Sequence, residues 1–187
     1  MLTFIKMTRK KLSQEIEIPH DVEVEIKDKE ILVKGPEGEN SRKFDMRKLK
    51  IEKKDGKILI ENPSATRKEK RRINTMTAHL KNLILGVQKK FEYKLKICSV
   101  HFPITIENKG DKVLIKNFLG EKTPRKCQIP KKAEIEINKE IITVKSTDKE
   151  IAGQAAANFE TATRVRNKDR RVFQDGIFII NKIGKEM

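Results

Sequence analysis

Short stretches of alternating apolar and polar residues dominate the first part of the chain. Residues 22–26 (Val-Glu-Val-Glu-Ile) alternate strictly, which is the period-two pattern of a strand with one buried face. Residues 31–33 and 58–60 are compact apolar runs that predict two further strands. The Gly-Pro-Glu-Gly sequence at 35–38 and the Asp-Gly pair at 55–56 predict hairpin turns.

A helical period follows these strands. The apolar residues fall at steps of three and four, which predicts a helix over about residues 64–87: Ile73, Met76, Leu80, Ile84 and Val87. Ser64 is the predicted N-terminal signal and Gly86 the predicted terminator. The first turns carry a dense basic run: Arg67, Lys68, Lys70, Arg71 and Arg72.

The second half follows the same plan. Residues 91–97 alternate as a long amphipathic strand, and residues 104–106, 113–115, 133–137 and 141–144 predict further strands. Residues 147–150 (Thr-Asp-Lys-Glu) have the form of a capping box. A second helix is predicted over about residues 147–166, with this apolar stripe: Ile151, Ala155, Phe159, Ala162 and Val165.

The two halves also match in sequence. Residues 31–34 and 38–39 correspond to residues 113–116 and 120–121 at a constant offset of 82. The Ile58 and Ile60 pair corresponds to Ile142 and Val144, just before each helix. The sequence therefore predicts an α+β protein of two tandem duplicated domains, residues 1–88 and 89–187. Each is expected to be a small antiparallel-rich sheet with one helix packed on it.

Composition narrows the class of partner. The 187 residues include 43 Lys and Arg against 27 Asp and Glu, for a net charge of +16. This charge favours a polyanionic partner, either nucleic acid or an anionic membrane surface. Aromatic residues make up 5%, which argues against a row of rings that stack on single-stranded bases. No apolar run approaches the roughly 20 residues that cross a bilayer, so we expect a soluble intracellular protein.

Candidate chemistry is sparse. His20, His79 and His101 share no spacing typical of a metal or catalytic site. Cys98 and Cys127 lie far apart and predict buried thiols in a reducing compartment. The 35–38 turn fits the GxxG pattern of the KH domain, but the flanking strands and acidic residues favour a hairpin. We therefore expect no enzyme activity, no metal and no cofactor.

Basic clusters are the remaining signal. One follows the predicted second helix: Arg164, Arg166, Lys168, Arg170 and Arg171. Another surrounds residues 117–120: Lys116, Lys122, Arg125 and Lys126. Such side chains neutralise phosphates and provide affinity with little sequence specificity. Their grouping favours the second domain as the main RNA-binding one.

Three motifs resemble one protein family. Residues 101–104 (His-Phe-Pro-Ile) followed by 116–122 (Lys-Asn-Phe-Leu-Gly-Glu-Lys) resemble the large-subunit ribosomal protein family called L-six in bacteria and L-nine in eukaryotes. Residues 167–177 resemble the C-terminal motif of its archaeal and eukaryotic branch, and residues 31–38 its first-domain motif. This chain departs from the pattern at Thr161, where Gln is usual, and at Phe178, where Tyr is usual. Residues 67–72 also match less well.

The resemblance implies a function. The second domain should bind large-subunit rRNA near the sarcin–ricin loop and the stalk base, beside neighbouring ribosomal proteins and where translation GTPases bind. The residues implied as rRNA contacts are Lys116, Asn117, Lys122, Asn167, Lys168, Arg170 and Arg171. Those implied as structural are Phe118, Gly120, Phe173, Asp175 and Gly176. The protein would work in cytoplasmic ribosomes, with nucleolar assembly if the source is eukaryotic.

Two other functions compete with this hypothesis. A free-standing RNA chaperone or regulator would use the same surface but would not sediment with large subunits. An RNA-processing enzyme would lose activity on mutation of His101 or a paired carboxylate while retaining RNA binding. The linked motifs and the absence of a catalytic constellation favour the ribosomal protein.

Overall fold

The chain forms two compact units, Met1–Lys89 and Lys90–Met187. They are described by a computed structural model that covers residues 10–27, 30–45, 49–54 and 56–187. Each unit has its own hydrophobic core.

The described residues of the first unit form two antiparallel sheets and one helix. Its strands in chain order are β1 (Lys10–Glu17), β2 (Glu23–Lys27), β3 (Glu30–Gly35), β4 (Gly38–Lys43), β5 (Lys50–Lys54) and β6 (Lys57–Ala65). One sheet has the order β1-β6-β5 and the other the order β2-β3-β4. The predicted strands at 22–26, 31–33 and 58–60 correspond to β2, β3 and β6. The sequence pattern missed β1, β4 and β5, whose residues are mostly polar.

The predicted hairpin turn at 35–38 is confirmed. β3 and β4 pair up to Gly35 and Gly38, with a turn at Pro36 and Glu37 between them. Gly38 has a φ of +131°, a conformation that residues with a Cβ rarely adopt. At the second predicted turn, Asp55 lies outside the described residues.

The first helix, α1 (Arg67–Gln88), begins later than predicted. Ser64 lies in β6, and Thr66 is the N-cap. The Thr66 backbone N–H donates to Glu69 Oε2 at 2.6 Å, as in a capping box. Gly86 does not end the helix but lies buried inside it. The apolar stripe packs against both sheets, with these buried hydrophobic residues: Ile73, Met76, Leu80, Leu83, Ile84 and Val87.

The second unit repeats this plan with more strands. They are β7 (Phe91–Cys98), β8 (Thr105–Asn108), β9 (Lys112–Lys116), β10 (Arg125–Gln128), β11 (Glu134–Asn138), β12 (Ile141–Ser146), β13 (Gly176–Lys182) and β14 (Lys185–Glu186). One antiparallel sheet has the order β10-β9-β8 and the other the order β11-β12-β7-β13-β14. The amphipathic strand predicted at 91–97 is confirmed as β7, the centre of the larger sheet.

The sequence pattern missed β10 and β13. In β10 a single side chain, Cys127, is buried, so the strand has no visible alternation. The sequence pattern predicts no strand after Asp175. This segment forms β13, which pairs antiparallel with β7 from Gly176 opposite Cys98 to Lys182 opposite Tyr93.

The second helix, α2 (Lys149–Ala162), is shorter than predicted. Its N-cap is Asp148 rather than Thr147, and the Asp148 Oδ1 accepts from the Glu150 N–H at 2.8 Å. The helix ends at Ala162, so Val165 and the basic residues after it lie in the following segment. Thr163 closes the last turn and binds the next strand through one hydroxyl. This Oγ1 donates to the Phe159 carbonyl and accepts from the Ile177 N–H.

The two units are α+β copies of one plan, as predicted, although each has two sheets instead of one. The corresponding core positions are buried in both copies, each with at most 1% exposure: Ile31 and Val113, Val33 and Ile115, Ile58 and Ile142, and Ile60 and Val144. The shared sequence motif is therefore a shared core motif.

Candidate nucleic-acid interface

A tight turn carries the first group of predicted RNA contacts. Asn117, Leu119 and Gly120 all have positive φ values, of 58°, 50° and 76°. Phe118 is 1% exposed and anchors the turn in the core. The exposed Asn117 donates through Nδ2 to the Pro103 carbonyl at 3.1 Å. The predicted structural role of Phe118 and Gly120 fits this geometry, and Asn117 also holds the turn in place.

Lys116 and Lys122 differ in their surroundings. Lys116 forms an ion pair with Glu107 on the neighbouring strand β8. The hydrogen bond from Lys116 lowers the pKa of Glu107, so the pair stays ionised at neutral pH. Lys122 and Lys126 are exposed. An RNA phosphate that approached Lys116 would compete with a carboxylate, whereas the exposed lysines present their charge to solvent.

Arg125 is engaged within the chain. Its Nε and Nη2 donate to the two carboxylate oxygens of Glu121 at 2.8 and 2.5 Å. Its Nη1 donates to the Ala162 and Arg164 carbonyls at 2.9 and 3.1 Å. The guanidinium also lies 4.2 Å from the centroid of the Phe118 ring. Arg125 was predicted to contact RNA; this geometry favours a positioning role instead, since it joins the 117–122 turn to the end of α2.

The residues after α2 form the second group of predicted contacts. Arg164, Arg166, Asn167, Lys168, Arg170 and Arg171 are all exposed. Asn167 has a φ of 56°, and the Asp169 carboxylate accepts from the Arg171 N–H at 2.9 Å. The basic side chains therefore project from a defined, turn-rich segment and not from a helix face.

A buried carboxylate holds this segment. The Asp175 side chain is 1% exposed. Its Oδ1 accepts from the backbone N–H groups of Val100 and His101 at 2.6 and 3.0 Å. Its Oδ2 lies 2.5 Å from His101 Nδ1. Burial alone raises the pKa of Asp175, but the hydrogen bonds from His101 and Val100 outweigh burial and lower it. Asp175 therefore stays ionised, which fits its predicted structural role.

Ring contacts extend this anchor to the basic segment. The His101 and Phe173 rings stack with centroids 5.0 Å apart. The Lys168 Nζ lies 4.4 Å from the Phe173 ring centroid, a cation–π arrangement. Sequence reasoning assigned His101 no partner, because the residues that bind it lie more than 70 positions away.

The two groups of predicted contacts lie close to each other. The hydrogen bond from Arg125 lowers the pKa of Glu121, and the positive charge of Lys168 lowers it further. Arg125, which pairs with Glu121 and donates to the Arg164 carbonyl, links the 117–122 turn with the 164–171 segment. Two open grooves flank the end of α2. One, of about 890 Å³, is lined by Arg164 and Arg170. The other, of about 560 Å³, is lined by Arg125, Lys126 and Arg166.

The Phe178 ring, which lines the larger groove, packs against Gly176. A Cβ built on Gly176 would lie 3.0 Å from the end of the Phe178 ring. The Phe178 ring therefore covers Gly176, and any side chain at position 176 would displace the ring. Phe178 stands 39% exposed at the groove.

In the part of the chain that the structure describes, no group of three or more His, Cys, Asp or Glu side chains is arranged to hold a metal ion. No helix within the described ranges is long and apolar enough to cross a membrane. Burial raises the pKa of the Cys127 thiol to about 11, so this cysteine stays protonated and unreactive at neutral pH.

Comparison with known proteins identifies the family. The family model described as "Ribosomal protein L6" matches residues 18–90 and 102–176. A "Large ribosomal subunit protein uL6" from Nanoarchaeum equitans is 44% identical over 184 residues, covering 94% of this chain and 96% of the relative. The protein of that name from Methanobrevibacter smithii is 42% identical over 171 residues, covering 91% and 96%. The chain belongs to the ribosomal protein L6 family.

Membership confirms three predictions made from the sequence. The relatives from Methanobrevibacter smithii and Nanoarchaeum equitans are archaeal, as expected for the archaeal and eukaryotic branch. The family model matches twice, once per unit, which agrees with the duplication. The family is one of ribosomal proteins and not of enzymes. The seven residues implied as rRNA contacts, and the four further cluster residues Arg125, Lys126, Arg164 and Arg166, all lie inside the second matched segment, 102–176. Their contacts with RNA stay predictions.

Proposed function

We propose that this protein is a structural component of the large ribosomal subunit and binds rRNA mainly through its second unit. The relatives carry the name of a large-subunit protein. The observation that carries the RNA-binding part is the exposed 164–171 segment, held at a fixed position by the buried Asp175. A preformed cationic segment loses little conformational entropy on binding.

The candidate residues divide into two roles. Arg166, Lys168, Arg170 and Arg171 are exposed and bind phosphates, with arginine offering the better bidentate geometry. Lys122 and Lys126 add charge from the neighbouring turn. Arg125 positions these residues through its bonds to Glu121 and to the end of α2.

The resemblance of residues 101–104, 116–122 and 167–177 to the family motifs supports a proposed location in the subunit. We place the second unit on rRNA near the sarcin–ricin loop and the stalk base, in contact with neighbouring ribosomal proteins. There it braces the RNA at which translation GTPases bind. The protein would work in cytoplasmic ribosomes and would supply no reacting group.

Sedimentation tests the ribosomal assignment. In a sucrose gradient of cell lysate the protein should follow the large subunit, monosomes and polysomes, and should remain bound at high salt. A protein that stays at the top of the gradient would contradict the assignment and favour a free-standing RNA chaperone or regulator.

A double variant tests the RNA-binding surface. Arg170→Ala with Arg171→Ala should weaken rRNA binding and reduce the log–log salt slope by about 0.7–0.9 for each lost phosphate contact. The matched control is Lys109→Ala with Lys112→Ala, which removes the same charge from the exposed β8–β9 turn. Equal slopes for the two variants would place the RNA surface elsewhere.

A further inference from the structure

The first unit has a concentrated positive patch that the second-unit surface does not include. The first six residues of α1 contain five cations: Arg67, Lys68, Lys70, Arg71 and Arg72. All five are exposed. Glu69, the remaining residue, is engaged in the capping box with Thr66. We name these five cations the α1 patch.

Among the described residues, the α1 patch has few carboxylate partners. Arg72 lies 3.8 Å from Asp45, a long and exposed contact. In the part of the chain that the structure describes, Arg67, Lys68, Lys70 and Arg71 form no ion pair with a carboxylate. Their charge is therefore presented to solvent.

The position of the α1 patch is unfavourable for the helix. The N-terminus of a helix carries partial positive charge, so cations in the first turns are repelled and anions are preferred. Arg67 and Arg71, like Lys68 and Arg72, also stand four residues apart, where like charges repel each other. α2 follows the favourable rule, with Asp148 as its N-cap and Glu150 in its first turn. The α1 patch thus weakens the fold locally, and such local conflicts are expected at functional sites.

The surroundings of the patch indicate the kind of partner. The apolar face of α1 is buried in the core of the first unit, and the exposed Leu85 lies at the far end of the helix. The patch therefore has no apolar face beside it to insert into a lipid surface. Asn74 and Thr75, the next exposed residues, are polar and provide no apolar anchor of the kind that protein interfaces need. Binding to phosphates requires charge and hydrogen-bond donors, both of which arginine and lysine supply.

We propose that the α1 patch is a second RNA-binding surface, which contacts phosphates without reading sequence. It goes beyond the proposed function, because it assigns RNA binding to the first unit and depends on none of the second-unit residues. The helix supplies a rigid support, since the other face of α1 is fixed by the core.

The test neutralises the patch in the full chain. In the variant, Arg67→Gln, Lys68→Gln, Lys70→Gln and Arg71→Gln are combined. The probe is an RNA duplex of about twenty base pairs with arbitrary sequence, bound across a range of salt concentrations. If two phosphate contacts are lost, the log–log slope should fall by about 1.4–1.8. The wild type should bind the RNA more tightly than the variant at low salt. A tenfold rise in salt should then reduce the ratio of the two affinities by about 25- to 60-fold.

A matched control separates the patch from net charge. Lys50, Lys53, Lys54 and Lys57, all exposed on β5 and β6, are changed to Gln together. This control loses the same charge and should keep nearly the wild-type slope. An equal loss of slope in both variants would overturn the proposal, because the effect would then be one of overall charge.

Thermal unfolding adds a second readout. The α1 variant should unfold at the wild-type temperature or above, because it removes repulsion at the helix start. Weaker RNA binding by a protein of undiminished stability is the expected result. An unchanged slope for the α1 variant would overturn the proposal. So would loss of binding to phosphatidylserine-containing vesicles with RNA binding intact, which would assign the patch to a membrane surface.

The result is independent of the second-unit test. If the Arg170→Ala, Arg171→Ala variant binds normally and the α1 variant does not, the second-unit surface fails and this proposal stands. The opposite pattern rejects the α1 patch and supports the second-unit surface. If each variant lowers the log–log salt slope and the two reductions add when the variants are combined, both surfaces bind RNA.

Discussion

The two helices occupy the same place in a duplicated plan, yet they differ at every level. α1 buries large side chains such as Leu80 and Ile84, whereas α2 buries mainly alanines, with Phe159 as the large exception. α1 starts with five cations and α2 with an acidic N-cap. After α1 the chain enters β7 almost directly, while after α2 a basic segment precedes β13. The duplication preserved the core strands and left the helix surfaces and ends free to diverge.

The largest expected effect concerns the Asp175 anchor of the second unit. Asp175→Ala should lower the free energy of unfolding by about 3 kcal/mol, because the backbone N–H groups of Val100 and His101 lose their charged acceptor and the buried carboxylate is removed. Chemical denaturation of the full chain measures it. Asp111→Ala, which removes an exposed carboxylate from the same unit, should change stability little. Equal stability of the two variants would contradict the role of Asp175.

The same anchor should respond to acid. The pKa of Asp175 is lowered in the folded protein relative to the unfolded chain. Its contribution to stability is therefore complete above the unfolded pKa of about 3.9 and is lost as the pH falls through the lower folded value. The stability difference between wild type and Asp175→Asn should shrink below about pH 4. A difference that is constant from pH 7 to pH 3 would show that ionisation of Asp175 is unimportant.

The next effect tests the close packing of α2. Ala156 is fully buried, so Ala156→Leu should overpack the core and lower stability by about 2 kcal/mol. Ala78→Leu is the matched control, because Ala78 is exposed on α1. The denaturation midpoints of Ala156→Leu and Ala78→Leu measure the difference. A tolerated leucine at position 156 would mean that the alanine face does not set the distance between helix and sheet.

A smaller effect concerns the start of α2. Asp148→Ala removes the acceptor for the Glu150 N–H and should cost about 1 kcal/mol. Asp148→Asn keeps an acceptor oxygen and should restore most of the stability. Chemical denaturation measures both variants. If Asp148→Asn and Asp148→Ala have equal free energies of unfolding, the N-cap bond contributes little to stability.

The smallest effect contrasts the charges at the two helix starts. Lys68→Glu in α1 should raise stability by a few tenths of a kcal/mol, and Glu150→Lys in α2 should lower it by a similar amount. Lys81→Glu, at an exposed position further along α1, should have less effect. High salt should diminish both changes. Thermal unfolding at two salt concentrations measures them, and changes of equal sign at both helices would contradict the contrast.

Local patterns predicted the elements that have strong periodicity. β7 was predicted because four of its residues alternate inward, and α1 because its stripe spans four turns. Residue type alone does not specify the helix ends, since Ser64 and Thr66, or Thr147 and Asp148, are equally good caps. β10 has one buried residue, too few to produce a pattern. β13 is apolar enough for a strand, but its place beside β7 depends on pairing with residues about 80 positions away.

The candidate site divides in the same way. The sequence identified the basic residues, because charge and spacing are local properties. It did not distinguish the engaged Arg125 from the exposed Arg170, since that difference depends on the Ala162 and Arg164 carbonyls. Nor did it connect Asp175 with His101, whose partnership forms when β13 pairs with β7.

The sequence by itself determined the class, the duplication and the positive charge of this protein. Repeated apolar spacing specifies which faces are buried, and composition specifies which kind of partner is attracted. Tertiary structure alone decided which cations face solvent and which brace the fold. A charge's role depends on its neighbours in space, and sheet pairing brings those neighbours together from distant parts of the chain.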